Sequence, residues 1–117
     1  MRTALLALVR EIPAGQVCEL PALARALNIP PRHAAYIMSA LTAEEAALLA
    51  WYRVVPAGGR FVPEKRETPR IAEQIRRLEG EGVRVGARGM ITGWPASAWT
   101  PPDTHAGTVW ADEEDAS

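Results

Sequence analysis

The side chains able to make or break bonds are few in this 117-residue chain, and they do not gather. There is one cysteine, Cys18, and there are two histidines, His33 and His105. Neither histidine has a cluster of carboxylates or cysteines near it in sequence, so no metal-ligand spacing is present and no metal or cofactor is expected. No Ser/His/Asp arrangement and no phosphate-cradling Gly loop is found. A lone cysteine is more often a small packed side chain than a nucleophile. What remains is cationic and aromatic. Arg25, Arg53, Arg60, Lys65 and Arg66 are candidates for phosphate contact, which positions a protein without reading sequence. Pairing with neighbouring Glu on an ordinary surface accounts for them equally well. Four tryptophans stand at 51, 94, 99 and 110, and an indole such as that of Trp51 has a face on which a base could pack.

Charge is unevenly placed. Residues 1–102 hold 13 Lys and Arg against nine acids, a net +4. Residues 103–117 hold five acids and no Lys or Arg, a net −5. A moderately basic body with an acidic tail is compatible with nucleic-acid binding. The tail itself is expected to be disordered. The single cysteine excludes an intramolecular disulfide and fits a reducing compartment, so a cytoplasmic protein is expected, nucleoid-associated when bound to DNA. The apolar run at residues 3–9 is too short for a secretory core and leads straight into Arg10 and Glu11. No stretch is long enough to cross a membrane. The length suits one domain, over residues 1–102, followed by the tail.

The elements that must position these side chains are mostly helices. Leu5, Leu8, Val9 and Ile12 share one helical face, and Pro13-Ala-Gly15 turns the chain. Val17-Cys18 is a short extended piece. Pro21 suits the first turn of a second helix, along which Leu20, Leu23, Ala24 and Leu27 recur at helical spacing. Asn28 to Pro31 breaks it, and Ala34, Ile37, Met38 and Leu41 mark a third helix. Two short helices across a tight turn suggest a helix-turn-helix. Thr42-Ala-Glu-Glu45 reads as a capping box opening a short helix through Leu49. Val54-Val55 and Arg60-Phe-Val62, flanking Pro56-Ala-Gly-Gly59, predict a small hairpin or wing. Thr68-Pro69 starts a last helix with Ile71, Ala72, Ile75 and Leu78 inward, stopped by Gly80 and Gly82. The predicted fold is mainly α: a single winged helix-turn-helix domain with a small β-hairpin.

Four segments, in order, resemble the DNA-binding domain of the methylated-DNA–cysteine methyltransferases. They are Ile12-Pro-Ala-Gly-Gln-Val17, Leu23-Ala-Arg-Ala-Leu-Asn-Ile-Pro30, Trp51-Tyr-Arg-Val-Val55 with Gly58-Gly59, and Arg77-Leu-Glu-Gly-Glu-Gly-Val83. The resemblance spans roughly residues 4–102. In that family a thiolate beside a histidine takes the alkyl group from a guanine flipped out of the duplex. Here Trp51 and Tyr52 stand at those positions and Ala50 replaces the preceding proline. Neither Trp51 nor Tyr52 is a nucleophile for this reaction, and Cys18 aligns far from the pocket motif. The chain is therefore most similar to the family's non-enzymatic, alkyltransferase-like branch, in which Trp commonly replaces the cysteine. The resemblance implies a sensor that binds double-stranded DNA, flips a 6-O-alkylguanine and marks it for nucleotide excision repair proteins. The base pocket it implies involves Trp51, Tyr52, Gly58 and Gly59. Trp51 as mere filler of that space remains the alternative.

The family places an arginine at the start of the recognition helix, where it fills the gap left by the flipped base. An ungapped alignment puts Ala34 there, and a shift of two residues puts Arg32 there. Ala34 belongs to the buried stripe, whereas Arg32 lies about 200° around the helix from it. Arg32 shares an outer face with Ala35, Tyr36 and Ser39, so these four residues, with Arg53, are the expected DNA contacts. A solvated charge is the bland account of Arg32. Leu20 stands where the family usually has a phosphate-binding tyrosine, and losing that hydrogen bond would cost roughly 1.5–3 kcal/mol. A degenerate member with weak or no DNA binding is thus the second expectation, a protein-interaction module with Trp94, Trp99 and Trp110 as anchors. A sequence-specific transcription regulator is a third, but no dimerisation helix is evident, and a monomer is expected.

Overall fold

The computed structural model describes residues 1–62, 68–94 and 97–102. Among the described residues five helices carry the fold: α1 (Arg2–Arg10), α2 (Leu20–Leu27), α3 (Pro31–Ser39), α4 (Ala43–Leu48) and α5 (Pro69–Gly80). Two short strands, β1 (Cys18–Glu19) and β2 (Val54–Val55), pair in parallel, Cys18 opposite Val54 and Glu19 opposite Val55. Single 3-10 turns at Trp51–Arg53 and Ala57–Gly59 flank β2.

The helix-turn-helix forms as its sequence dictates. Leu23, Ala24 and Leu27 of α2 and Ala34, Ile37 and Met38 of α3 are buried, and the two helices pack closely. Between them Asn28 adopts a left-handed conformation (φ 56°), which asparagine tolerates better than most residues. The amides of Asn28 and Ile29 then donate to the carbonyls of Arg25 and Ala24, at 3.1 and 3.0 Å. That Schellman-type closure satisfies the last turn of α2. Pro31 opens α3 at a position where no N–H is needed. The capping box of Thr42 and Glu45 is complete, with both reciprocal hydrogen bonds made.

Two apolar clusters lie on either side of the strand pair. One joins α1, α2 and α3 to Cys18, Trp51 and Val54. The other joins Val17, Val55, Phe61, Ile75, Leu78, Val83 and Ile91. Successive residues of a strand face opposite ways, so Val54 and Val55 serve different clusters. The expected hairpin between Val54-Val55 and Arg60-Phe61-Val62 is corrected by this pairing. β2 finds its partner in β1, while Arg60 bridges antiparallel to Met90. The intervening Gly58 and Gly59 both have positive φ and turn the chain out of hairpin register. The backbone at 59–61 instead bonds to 89–91, through Phe61 N–H to the Gly89 oxygen (2.8 Å) and Ile91 N–H to the Gly59 oxygen (2.9 Å).

In α5 the inward residues are Ile71, Gln74, Ile75 and Leu78, whereas Ala72, expected inside, is exposed. Trp94 packs on the second cluster and Trp99 on the first. Residues 97–99 lie beside Val17, whose N–H donates to the Ser97 oxygen at 2.9 Å. The acidic tail at 103–117, with Trp110, falls outside the described residues. No helix among those described is long and apolar enough to cross a membrane.

Candidate nucleic-acid interface

The outer face of α3 is open. Arg32, Ala35, Tyr36 and Ser39 are all exposed, Tyr36 by 69%, while Ala34 is fully buried. Periodicity alone had separated Arg32 from Ala34, and the packing agrees. Arg32 stands in the first turn of α3, and the Ser39 hydroxyl donates to the Tyr36 carbonyl at 2.8 Å.

Beside this face lies a pocket of about 370 Å³. Ala35, Met38 and Ser39 bring α3 to one side, and Arg70, Ile71 and Gln74 bring α5 to the other. Leu20 from α2 and the run at 54–56 add apolar wall, with Trp51 among them. The volume sits at the low end of the range for small-molecule sites. Trp51 is 9% exposed and meets Tyr52 edge-on, with ring centroids 6.0 Å apart. The Arg70 guanidinium carbon lies 5.0 Å from the Trp51 ring centroid.

Of the four residues expected at the pocket, Trp51 lines it and the others do not. Tyr52, one step along a 3-10 turn, points away and donates its hydroxyl to Glu81 Oε2 at 2.7 Å. Gly58 N–H donates to Glu19 Oε2 at 2.7 Å. Gly59 is buried under Trp94, and a Cβ there would overlap the indole ring. These two glycines shape the backbone after β2 rather than the pocket.

Arg53 is also placed differently from expectation. Its Nε and Nη2 donate to the two Glu81 oxygens at 3.0 and 2.6 Å, and Nη1 donates to the Ile12 carbonyl at 2.9 Å. The Gly15 amide completes the set, donating to Glu81 Oε1 at 3.0 Å. The Arg53 guanidinium holds the Glu81 carboxyl down at about 2, well below the usual carboxylate range. Burial, then the hydrogen bond to Glu81, pushes the Tyr52 phenol up. Arg53 is thus a structural tie between the ends of the motif-bearing segments, not a free phosphate ligand. Arg25 and Arg60 are exposed, while Lys65 and Arg66 lie outside the described residues.

The thiol is remote from this chemistry. Cys18 is fully buried in β1, does not line the pocket, and burial pushes its pKa to about 12. The thiolate is the nucleophilic form, so Cys18 has none to offer near neutral pH. Among the described residues no group of three or more His, Cys, Asp or Glu converges as a metal site would require.

The polar pocket residues that sequence reasoning missed are Arg70 and Gln74, and it missed the wall roles of Leu20, Met38, Ile71 and the run at 54–56 as well. Gln74 is buried, and its Nε2 donates to the Tyr52 and Val54 carbonyls at 3.1 and 2.7 Å. One signal was available: Gln74 falls at helical spacing with Ile71, Ile75 and Leu78.

A family model for the DNA-binding domain of 6-O-methylguanine DNA methyltransferase matches residues 1–83. The chain belongs to that family. It is also similar to the alkyltransferase-like protein Atl1 of S. pombe. One solved structure holds Atl1 in complex with damaged DNA containing O6-carboxymethylguanine, and another holds the S. pombe protein in complex with DNA. Identity is 28% in both cases, with 86% of this chain and 94% of that chain covered and a TM-score of 0.70. No significant match is found among curated proteins. Family and neighbours agree on a helix-turn-helix DNA-binding fold, which is the role the open face of α3 suits.

Proposed function

We propose that this protein binds duplex DNA containing a 6-O-alkylguanine and holds the flipped base beside Trp51 without transferring its alkyl group. The observation that carries this reading is the pocket itself. It opens between α3 and α5, has Trp51 in its wall, and contains no thiol. A base entering it leaves water for Trp51, Val54, Val55 and Ile71, and a flipped base is ordinarily held by such stacking and apolar contact. Arg32, exposed at the start of α3, is the side chain that fills the vacated stack. Ala35 keeps the helix surface low where the duplex comes closest. Leu20 has no polar group to offer a phosphate and serves instead as pocket wall. The retained complex then presents the lesion to nucleotide excision repair proteins.

Fluorescence anisotropy of a labelled duplex, with and without one 6-O-methylguanine, across a salt series, tests the reading. Tighter binding to the modified duplex is expected. Equal, salt-sensitive binding to both would reduce the protein to a phosphate-contacting DNA binder. A second reading is favoured by two features: the family resemblance implies a tyrosine where Leu20 stands as apolar pocket wall, and Arg53 is tied to Glu81. Both remove phosphate ligands, and a member that has lost DNA affinity would bind neither duplex even at low salt.

A further inference from the structure

Among the described residues that line the pocket beside Trp51, all are neutral except one. That one is Arg70, in the first turn of α5, the single ionised side chain among the described lining residues. Two contacts hold it in place. The guanidinium lies over the Trp51 ring, and Nη2 donates to the Met38 carbonyl at 2.8 Å. A guanidinium has five N–H donors and this bond uses one. Among the described residues no carboxylate pairs with it. Glu73, one turn along the same helix, is taken by Arg76 and Arg77. The N-terminal end of α5 adds its own positive potential at the same place. An anchored cation with spare planar donors, facing a pocket otherwise lined by apolar and neutral groups, is a receptor for a carboxylate.

We infer that Arg70 makes the pocket selective for alkylguanines whose adduct ends in an anion, over neutral adducts of the same size. This rests on the reading that the pocket accepts a flipped alkylguanine. The methyl adduct has nothing to reach Arg70. A carboxymethyl adduct presents two oxygens at the end of the alkyl arm, in a pocket whose walls hold both Trp51 and Arg70. Arg70 is itself exposed, so water weakens the pair and the gain is modest, about tenfold in affinity.

The test compares three duplexes that differ in one base, carrying guanine, 6-O-carboxymethylguanine, or the neutral carbamoylmethyl isostere. Each is titrated at low salt with the wild-type protein, Arg70→Gln and Arg70→Lys, and thermal melts confirm that the variants fold. Comparing the ratio of carboxymethyl to carbamoylmethyl affinity between proteins cancels the repulsion between the adduct and the DNA phosphates, which all three proteins share. The expected ratio is about tenfold higher in the wild type than in Arg70→Gln, with Arg70→Lys between them because it keeps the charge without the planar fork. A ratio that does not change from wild type to Arg70→Gln, with both lesions still preferred over guanine, overturns the Arg70 assignment and leaves the lesion-binding reading standing. No preference for either lesion over guanine in the wild type overturns both.

Discussion

Replacing Glu81 by Gln should loosen the segment that presents Trp51. The Glu81 carboxylate accepts from the Gly15 amide, the Tyr52 hydroxyl and two Arg53 nitrogens, and so ties α1's exit and the Trp51–Arg53 turn to the end of α5. Both ionised side chains are 17% exposed. The Glu81 carboxyl sits at about 2 against an ordinary 4.5. At about 1.36 kcal/mol per pKa unit this difference is worth about 3 kcal/mol, or about 2 kcal/mol after discounting for the water that still reaches the pair. The sign follows from the lowered value. The contribution is complete above the unfolded-state pKa near 4.5 and is lost as pH falls toward 2. The substituted amide would keep some hydrogen bonds but leave Arg53 without its counter-charge. Urea unfolding followed by tryptophan fluorescence at pH 7, 5 and 3 measures the effect. The variant should be about 2 kcal/mol less stable at pH 7, a fall in Tm of roughly 10 °C for a domain of this size. The gap should narrow between pH 5 and pH 3, because only the wild type has that carboxylate to protonate. A gap under about 0.5 kcal/mol at pH 7, or one independent of pH, would refute the reasoning.

Other perturbations separate site from scaffold. Arg32→Ala should weaken binding to an alkylguanine duplex by about tenfold or more while leaving the melting temperature unchanged, since the side chain is exposed; unchanged affinity removes its role in filling the stack. Gln74→Leu should cost about 2 kcal/mol in urea unfolding, because the Tyr52 and Val54 carbonyls lose their shared donor. Cys18 in the native protein should resist a thiol-alkylating reagent at pH 7 and react on denaturation; fast native labelling would contradict its burial and raised pKa. Deleting residues 103–117, which hold five acids and no Lys or Arg, should strengthen DNA binding at low salt and lose that effect at high salt. No change at low salt would show that the tail does not compete for the basic body.

Much of this architecture was legible because helices advertise themselves over many residues. The inward stripes of α1, α2 and α3 follow a 3.6-residue period, and prolines and a capping box mark where helices begin. The same period placed Arg32 outside and Ala34 inside, a choice that alignment alone had left open. Strand pairing was not legible. β1 and β2 are two residues each, too short to carry an alternation, and Val54-Val55 pairs with a distant segment rather than with its neighbour across the glycines. Local pattern favours the nearest partner, and tertiary packing overrode it.

The family motif likewise located Trp51 but not its surroundings. Neighbours in a 3-10 turn point about 120° apart, so Trp51 faces the pocket while Tyr52 and Arg53 turn toward Glu81. The α5 wall was hidden for a different reason. Arg70 and Gln74 are polar, and a polar residue on an amphipathic helix reads as solvent-facing until a partner for it is known. The partners are the Met38, Tyr52 and Val54 carbonyls, all supplied by distant parts of the chain. The sequence by itself therefore determined the helices and the exposed face of α3, because these depend on local order and residue identity. Only the tertiary structure decided which polar groups line the pocket and which tie the scaffold together, because that depends on where unpaired carbonyls and charges meet across segments far apart in the chain.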